Sequence, residues 1–503
     1  MKMKNIYNII AKTLTALAVV FSLNSCLEKL PTDYIPEEEA MQTFEDAEQT
    51  LTGIYAALKS RALYSGYLTL IPDIQTDLAY AVQGNTNTYG NFWLWNILPT
   101  TSEVESVYAA LYTVIGRCNF YLDKVGDVRA SLTDDSLIQY LDYYTGEVHC
   151  ARALAYSELI KLYCKAYDPA TADKELGVVL RSSYFNEEPT VRATLKESYE
   201  FVLADLAKAE ELLDEDNDYY NAIYFTNAAA HAIHARVALY MQDWDGAIEH
   251  SSKVIDSGKF DLASAKNAYG DGTYLSYMWS NDASFEVIFK IGYTITSYGG
   301  ALGSVFLNYT TDYTYYYPDY VPAQWVLQAY GSGDARYATY FTNLQTGYSH
   351  GLTWPLLTKY YGNESFMQSM IYHVNMPKPL RLAEQYLIRA EAYCNNNKFA
   401  AASADLTKLS QSRHTAGGNV NVTDKNWLDV ISNERVKELY MEGFRLQDLK
   451  RWGRGFEREQ QTLTQPEGST MKIKADNPLF VWPIPKHELE SPGSQILPNE
   501  SNK

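Results

Sequence analysis

Three sets of side chains have the types and spacing to do chemistry. His231 and His234 stand three apart in an alanine-rich run, so on a helix they would share one face and could offer two imidazoles to a metal ion. The sequence suggests no third ligand beside them, so a packed or surface pair is the expectation and no metal is assigned. Glu434, Glu438 and Glu442 recur every four residues, with Arg435, Arg445 and Arg451 in the same stretch. Such carboxylates could be catalytic, but charges at this spacing are far more often structural, and interior ion pairs are expected here. Asn91, Trp93 and Trp95 alternate, which in an extended segment points all three to one face. Flat indoles flanked by an amide suit a sugar: the rings meet the axial hydrogens of a pyranose and the polar groups meet its hydroxyls.

Recognised enzyme signatures are missing. The chain has no Gly-x-Ser-x-Gly elbow, no His-Glu-x-x-His, no phosphate-cradling glycine loop and no dinucleotide fingerprint. A glycosidase needs only two suitably spaced carboxylates, so a glycan-active enzyme stays open as an alternative. Cys118, Cys150, Cys164 and Cys394 lack Cys-x-x-Cys spacing, so no metal or redox cofactor is expected, and the first three, in apolar-periodic segments, are expected as small buried hydrophobes, a disulfide among them being the other reading. The acidic run Asp214-Glu215-Asp216-Asn217-Asp218 could attract calcium but lacks the spaced ligands and central glycine of a calcium loop.

Lys2, Lys4 and Lys12 precede an apolar stretch, Leu14 to Leu23, that ends Leu23-Asn24-Ser25-Cys26. That stretch is about half the roughly 20 residues a spanning helix needs. Residues 1–25 are therefore expected as a cleaved lipoprotein signal, leaving Cys26 to carry acyl chains that tether a soluble body to a membrane surface. An ordinary secretory signal with an incidental cysteine is the other reading. Removing those residues takes three lysines and no acid, so 39 basic against 61 acidic side chains leave a net charge near −22. Nucleic acid and anionic lipid head groups would repel such a body.

Helical periodicity dominates 37–62, 103–256 and 381–453. Ala235 and Ala247 stand twelve apart around Gln242-Asp243-Trp244-Asp245-Gly246, and Ala390 and Ala402 repeat the spacing around Asn395-Asn396-Asn397-Lys398. Small residues at that interval let two antiparallel helices approach closely, as in tetratricopeptide-like pairs. A mainly α scaffold is expected, interrupted by loop-rich regions at 64–102 and 261–380, where glycine, asparagine and threonine interleave with aromatics. Tyrosine numbers 43 against 17 phenylalanines, so many phenols are expected to need water, a partner or a ligand.

The stretch Asn433-Glu434-Arg435-Val436-Lys437-Glu438-Leu439-Tyr440-Met441-Glu442-Gly443-Phe444-Arg445-Leu446-Gln447-Asp448-Leu449-Lys450-Arg451-Trp452-Gly453 resembles the signature helix of the SusD/RagB family. Tyr386-Leu387-Ile388-Arg389-Ala390-Glu391-Ala392-Tyr393, the closing Trp482-Pro483-Ile484-Pro485, Leu111-Tyr112 through Asn119, and Val321-Pro322-Ala323-Gln324-Trp325 extend the resemblance over most of the chain. It implies a non-catalytic outer-membrane nutrient-binding lipoprotein, facing the exterior: a signal at 1–25, then one SusD-like unit, 26–503, of four tetratricopeptide-like pairs with a loop-built ligand region. The implied partner is a SusC-type TonB-dependent transporter. The implied cargo is an oligosaccharide, or an oligopeptide if the RagB branch is followed. From the same resemblance, ligand contacts are expected at Asp77, Asn91, Trp93, Trp95, Tyr298, Tyr309, Tyr313 and Tyr315.

Overall fold

In the computed structural model the described residues are 40–82, 88–185, 189–213, 221–309, 314–347, 353–458 and 472–503. Cys26 with its signal, Tyr313 and the acidic run 214–218 lie outside them. The scaffold runs through α1 (Phe44–Leu58), α2 (Ser102–Ser131), α3 (Asp135–Tyr163), α4 (Leu195–Leu212), α5 (Asn227–Tyr240), α6 (Trp244–Ile255), α7 (Leu382–Asn395), α8 (Phe399–Arg413), α9 (Trp427–Glu438) and α10 (Arg445–Arg451). Capping fixes several starts. Thr43 and Thr194 each accept the N–H of an acid three residues on, Asp46 or Glu197, whose carboxylate accepts the threonine N–H in return.

From α1 to α8 each helix packs on the next, and α6 packs directly on α7 although residues 256–381 intervene. The fold is mainly α and tetratricopeptide-like. The alanine spacing explains the close pairing: Ala235, Ala247, Ala390 and Ala402 have no exposed surface. Ala235, Ala238 and Ala247 join Ile388 and Ala392 in one apolar cluster that welds the two helix pairs. Both turns use a left-handed residue at the same place, Gln242 at φ 61° and Asn397 at φ 57°. Asparagine adopts that region readily and glutamine less so.

Part of the first loop-rich region is framework. Residues 67–74 form a short helix, and Ala79–Ala81 pair antiparallel with Tyr320–Pro322, all six residues being buried. Gly443, at φ 87°, passes so near this helix that a Cβ would overlap the Leu68 carbonyl oxygen. The second region holds the hairpin Phe341–Gln345 with Thr353–Leu357, register Phe341↔Leu357 to Gln345↔Thr353.

The tyrosine excess is divided between interior rings, such as Tyr163, Tyr360 and Tyr440, and exposed ones, such as Tyr140, Tyr224, Tyr298 and Tyr372. The hydroxyls of Tyr112, Tyr163, Tyr360 and Tyr440 donate to the carbonyl oxygens of Val179, Val104, Met441 and Leu78 at 2.6–3.1 Å. Each ring packs in or against the core while its hydroxyl bonds a backbone carbonyl oxygen. The four described cysteines are buried and unpaired.

The charged helix segment is structural, and most partners of its glutamates come from distant parts of the chain. Glu438 binds Arg336, Arg381 and Arg413; Glu442 binds Lys359 and Arg381; Arg435 and Arg451 bind Asp448, and Arg451 also binds Glu391.

Glu147 of α3 is a buried acid that forms no ion pair among the described residues. It accepts from Tyr55, whose hydroxyl oxygen accepts the Phe225 N–H. Burial pushes its carboxyl up from 4.5 to about 8. Below pH 4.5 the folded and unfolded chains both hold that proton. Between there and about 8 only the unfolded chain releases it, so stability falls as pH rises through this interval. Glu147→Gln is therefore expected to stabilise the protein by roughly 1–3 kcal/mol at pH 8 and not at pH 4, measured by urea unfolding at both values.

Candidate functional site

The two loop-rich regions meet over the turn that follows α1. A Cβ on Gly299 would overlap the Ser65 hydroxyl and the Tyr293 phenol, and one on Gly300 would overlap the Ser65 carbonyl oxygen, so only glycine lets this loop settle there. Tyr293 donates to Ser65 Oγ, and Lys59 Nζ reaches Ser297 Oγ at 3.4 Å. Held from beneath, Tyr298 presents a ring that is 45% exposed, with its centroid 6.3 Å from the buried Phe366.

Beyond Tyr298 the backbone brings Tyr309 opposite Tyr316, and Tyr316 lies against the hairpin, its N–H donating to the Gln345 carbonyl oxygen at 3.1 Å. The two rings are 4.6 Å apart and tilted by 32°. Tyr309 Oη donates to Tyr316 Oη at 3.0 Å, and Tyr361 Oη lies 3.5 Å further on. The His373 ring lies 6.3 Å from Tyr309, 6.0 Å from Tyr361 and 6.5 Å from Tyr372. Met370 and His373 take left-handed φ values of 60° and 62°, a strained backbone that costs about 1–3 kcal/mol per residue and turns this loop outward.

Tyr298, Tyr309, Tyr361 and Tyr372 are all at least 40% exposed, so the cluster is an open aromatic shelf. Burial pushes the Tyr309 phenol up, and burial with bonds to Tyr309 and Tyr361 does the same at Tyr316. Burial lowers the His373 imidazole, which donates from Nδ1 to the Tyr361 carbonyl oxygen at 3.1 Å. Flat rings with a connected run of hydroxyls suit a neutral ligand that presents both C–H faces and hydroxyls.

The sequence-expected residues separate into two groups. Asn91, Trp93 and Trp95 do not share a face, because residues 90–93 coil into one helical turn and Trp95 follows at φ 55°. Asn91 is exposed. Trp93 is wholly buried, its Nε1 donating to the Ala79 carbonyl oxygen at 3.1 Å and its face covered by Arg458 at 4.2 Å. Trp95 is buried against Phe456 and Phe480, with Nε1 donating to the Gln75 carbonyl oxygen at 2.6 Å. Asp77 is a framework acid, gripped by Arg445 at 3.0 and 2.9 Å. Tyr298 and Tyr309 lie on the shelf, and half-buried Tyr315 precedes Tyr316 beside it. Tyr361, Tyr372 and His373 were not anticipated; the Tyr-Gly-Asn at 361–363 and the Tyr-His pair at 372–373 were the available signal. Trp93→Ala should thus act through stability, lowering it by about 3–5 kcal/mol, while ligand affinity of the folded protein stays as in the wild type; thermal unfolding and titration separate the two.

A cleft of about 870 Å³ opens elsewhere, between α1 and α3, lined by Tyr55, Tyr140, Tyr144, Glu147 and Tyr224. Its rim also carries Glu48, Asp135, Asp142 and Glu211, a concentration of negative charge that a neutral sugar does not need.

Stacked helix pairs that gather two long insertions into an exposed aromatic shelf define a helical-repeat scaffold with a loop-built surface. Residues 237–497 match the model of the SusD family, and residues 32–239 match a family described as starch-binding, associating with the outer membrane. The chain belongs to the SusD family. It is 24% identical to SusD-like protein P38 of Formosa agariphila over 91% of this chain and 93% of that protein. Among solved structures, a SusD superfamily protein of Bacteroides thetaiotaomicron superposes with a TM-score of 0.77 at 23% identity, covering 91% of this chain and 99% of the other. A putative sugar-binding protein of Bacteroides vulgatus gives 0.75 at 22% identity, covering 92% and 100%.

Proposed function

We propose that the protein captures oligosaccharides on the shelf of Tyr298, Tyr309, Tyr361 and Tyr372 and passes them, uncleaved, to a SusC-type TonB-dependent transporter at the outer membrane. The observation that carries this reading is an aromatic surface, open to solvent and tied together by the Tyr309, Tyr316 and Tyr361 hydroxyls. The starch-binding, membrane-associated description of the family matched by residues 32–239 and the sugar-binding description of a structural neighbour support it. Acylation of Cys26, a mature unit spanning 26–503 and an outward-facing body belong to the same proposal. Among the described residues no helix is long and apolar enough to cross a membrane.

Calorimetric titration of signal-free protein against matched panels of oligosaccharides and oligopeptides tests the cargo. Saccharide binding with no released product supports the reading; binding of peptides alone replaces the cargo, and shortened glycans would show an enzyme. Affinity purification of the acylated protein from membranes containing its barrel tests the partner.

A further inference from the structure

Folding supplies the ligands that the sequence did not place beside His231 and His234. Both stand on α5; α6 contributes His250 and α4 contributes Glu210. Three imidazole nitrogens crowd one carboxylate oxygen: Glu210 Oε1 lies 2.8 Å from His234 Nδ1, 3.1 Å from His231 Nδ1 and 3.3 Å from His250 Nδ1. His231 Nδ1 and His250 Nδ1 are themselves 3.0 Å apart. As hydrogen bonding alone this is poor, because two Nδ1 atoms facing each other have room for one proton between them and three donors compete for one oxygen.

We infer that Glu210, His231, His234 and His250 form a binding site for a divalent transition-metal ion of the zinc class, clamping α4, α5 and α6 together. Zinc holds imidazole nitrogens and carboxylate oxygens at roughly 2.0–2.2 Å, which in a tetrahedron sets neighbouring donors about 3.3 Å apart; Glu210, His234 and His250 each bring a ligand atom within 4.8 Å of the other two, and His231, beside Glu210 and His250, is the fourth donor that must move in. Three imidazoles and one carboxylate favour zinc, copper or nickel over magnesium or calcium, which take oxygen-rich sets. A cleft of about 690 Å³, lined by Glu210, His231, Asn227, Lys253 and Asp256, gives an ion access from solvent. The His234 and His250 rings are stacked with centroids 3.4 Å apart, so loading must tilt one of them to bring both nitrogens in line with the ion. The site is separate from the aromatic shelf and does not depend on how the shelf is used.

The test uses tag-free, chelator-treated mature protein titrated with zinc alone, and with cobalt to read the visible bands of a four-coordinate ion. One equivalent should bind, with a rise in Tm. His234→Ala with His250→Ala should weaken zinc by at least about 100-fold and abolish the cobalt bands. Glu210→Gln, which keeps shape and hydrogen bonding, should also weaken zinc, whereas His487→Ala, at a half-exposed histidine far along the chain, should bind as the wild type. Absence of stoichiometric binding at ~100 µM zinc, or equal binding by the wild type and the Glu210→Gln and double-histidine variants, would overturn the assignment.

Discussion

Replacing Glu438 with alanine should destabilise the protein by at least about 3–5 kcal/mol, because removing one member of a buried ionic group leaves its partners charged and without water. Glu438 Oε1 accepts from Arg381 and Arg413, each at 2.9 Å, and Oε2 accepts from Arg413 at 3.0 Å and Arg336 at 3.1 Å. All four side chains are at most 1% exposed. Glu286, Glu434, Glu442 and Asp334 complete the acidic side of the cluster. Burial opposes ionisation of Glu438, but Arg413, Arg381 and Arg336 overcome it and hold its carboxyl far below 4.5. Its contribution is fully present above the unfolded-state value of 4.5 and is lost only as pH falls below that toward the depressed folded value. Glu438→Gln, nearly the same shape, isolates charge from packing and should also destabilise. Denaturant unfolding at pH 7 checks both variants, and a glutamine variant as stable as the wild type would show that shape alone holds this junction.

The second large effect concerns the shelf. Tyr309→Ala combined with Tyr361→Ala should lower oligosaccharide affinity by roughly 100-fold, since a stacked aromatic that anchors a ligand contributes on the order of 1–2 kcal/mol beyond simple contact. Both rings are about 40% exposed, so the fold should survive and Tm should change little. Tyr309→Phe keeps the ring but removes the donor to Tyr316, and should cost far less affinity if the ring face makes the main contact. Calorimetric titration with the tightest-binding saccharide measures all three.

What could be read from the sequence was what repeats locally. The twelve-residue alanine interval and the apolar stripe Leu195, Tyr199, Val202, Leu203, Leu206, Ala209 and Leu213 placed helix pairs because a helix face is a local pattern, and the structure buries all of the stripe but Leu203, which is half-buried. The alternation Asn91-x-Trp93-x-Trp95 misled because a period of two needs an extended chain. Residues 90–93 take a helical turn instead, which places Trp93 and Asn91 on opposite sides. Tyrosine number gave no means to tell an interior phenol that satisfies a carbonyl, such as Tyr163, from an exposed one such as Tyr372. Ionic partners were equally hidden: Glu438 meets Arg336 and Arg381, 102 and 57 residues away. His250 and Glu210 join His231 only because three helices pack, 19 and 21 residues apart along the chain.

Hydrogen–deuterium exchange on the signal-free protein, with and without a saturating oligosaccharide, tests most directly that the shelf is where ligand sits. Protection should concentrate in 293–309 and 358–373, the loops that carry Tyr298, Tyr309, Tyr361 and Tyr372. Protection confined instead to α1 and α3 around Tyr55, Tyr140 and Tyr144 would place the ligand in the acidic cleft and contradict the aromatic shelf as the capture surface.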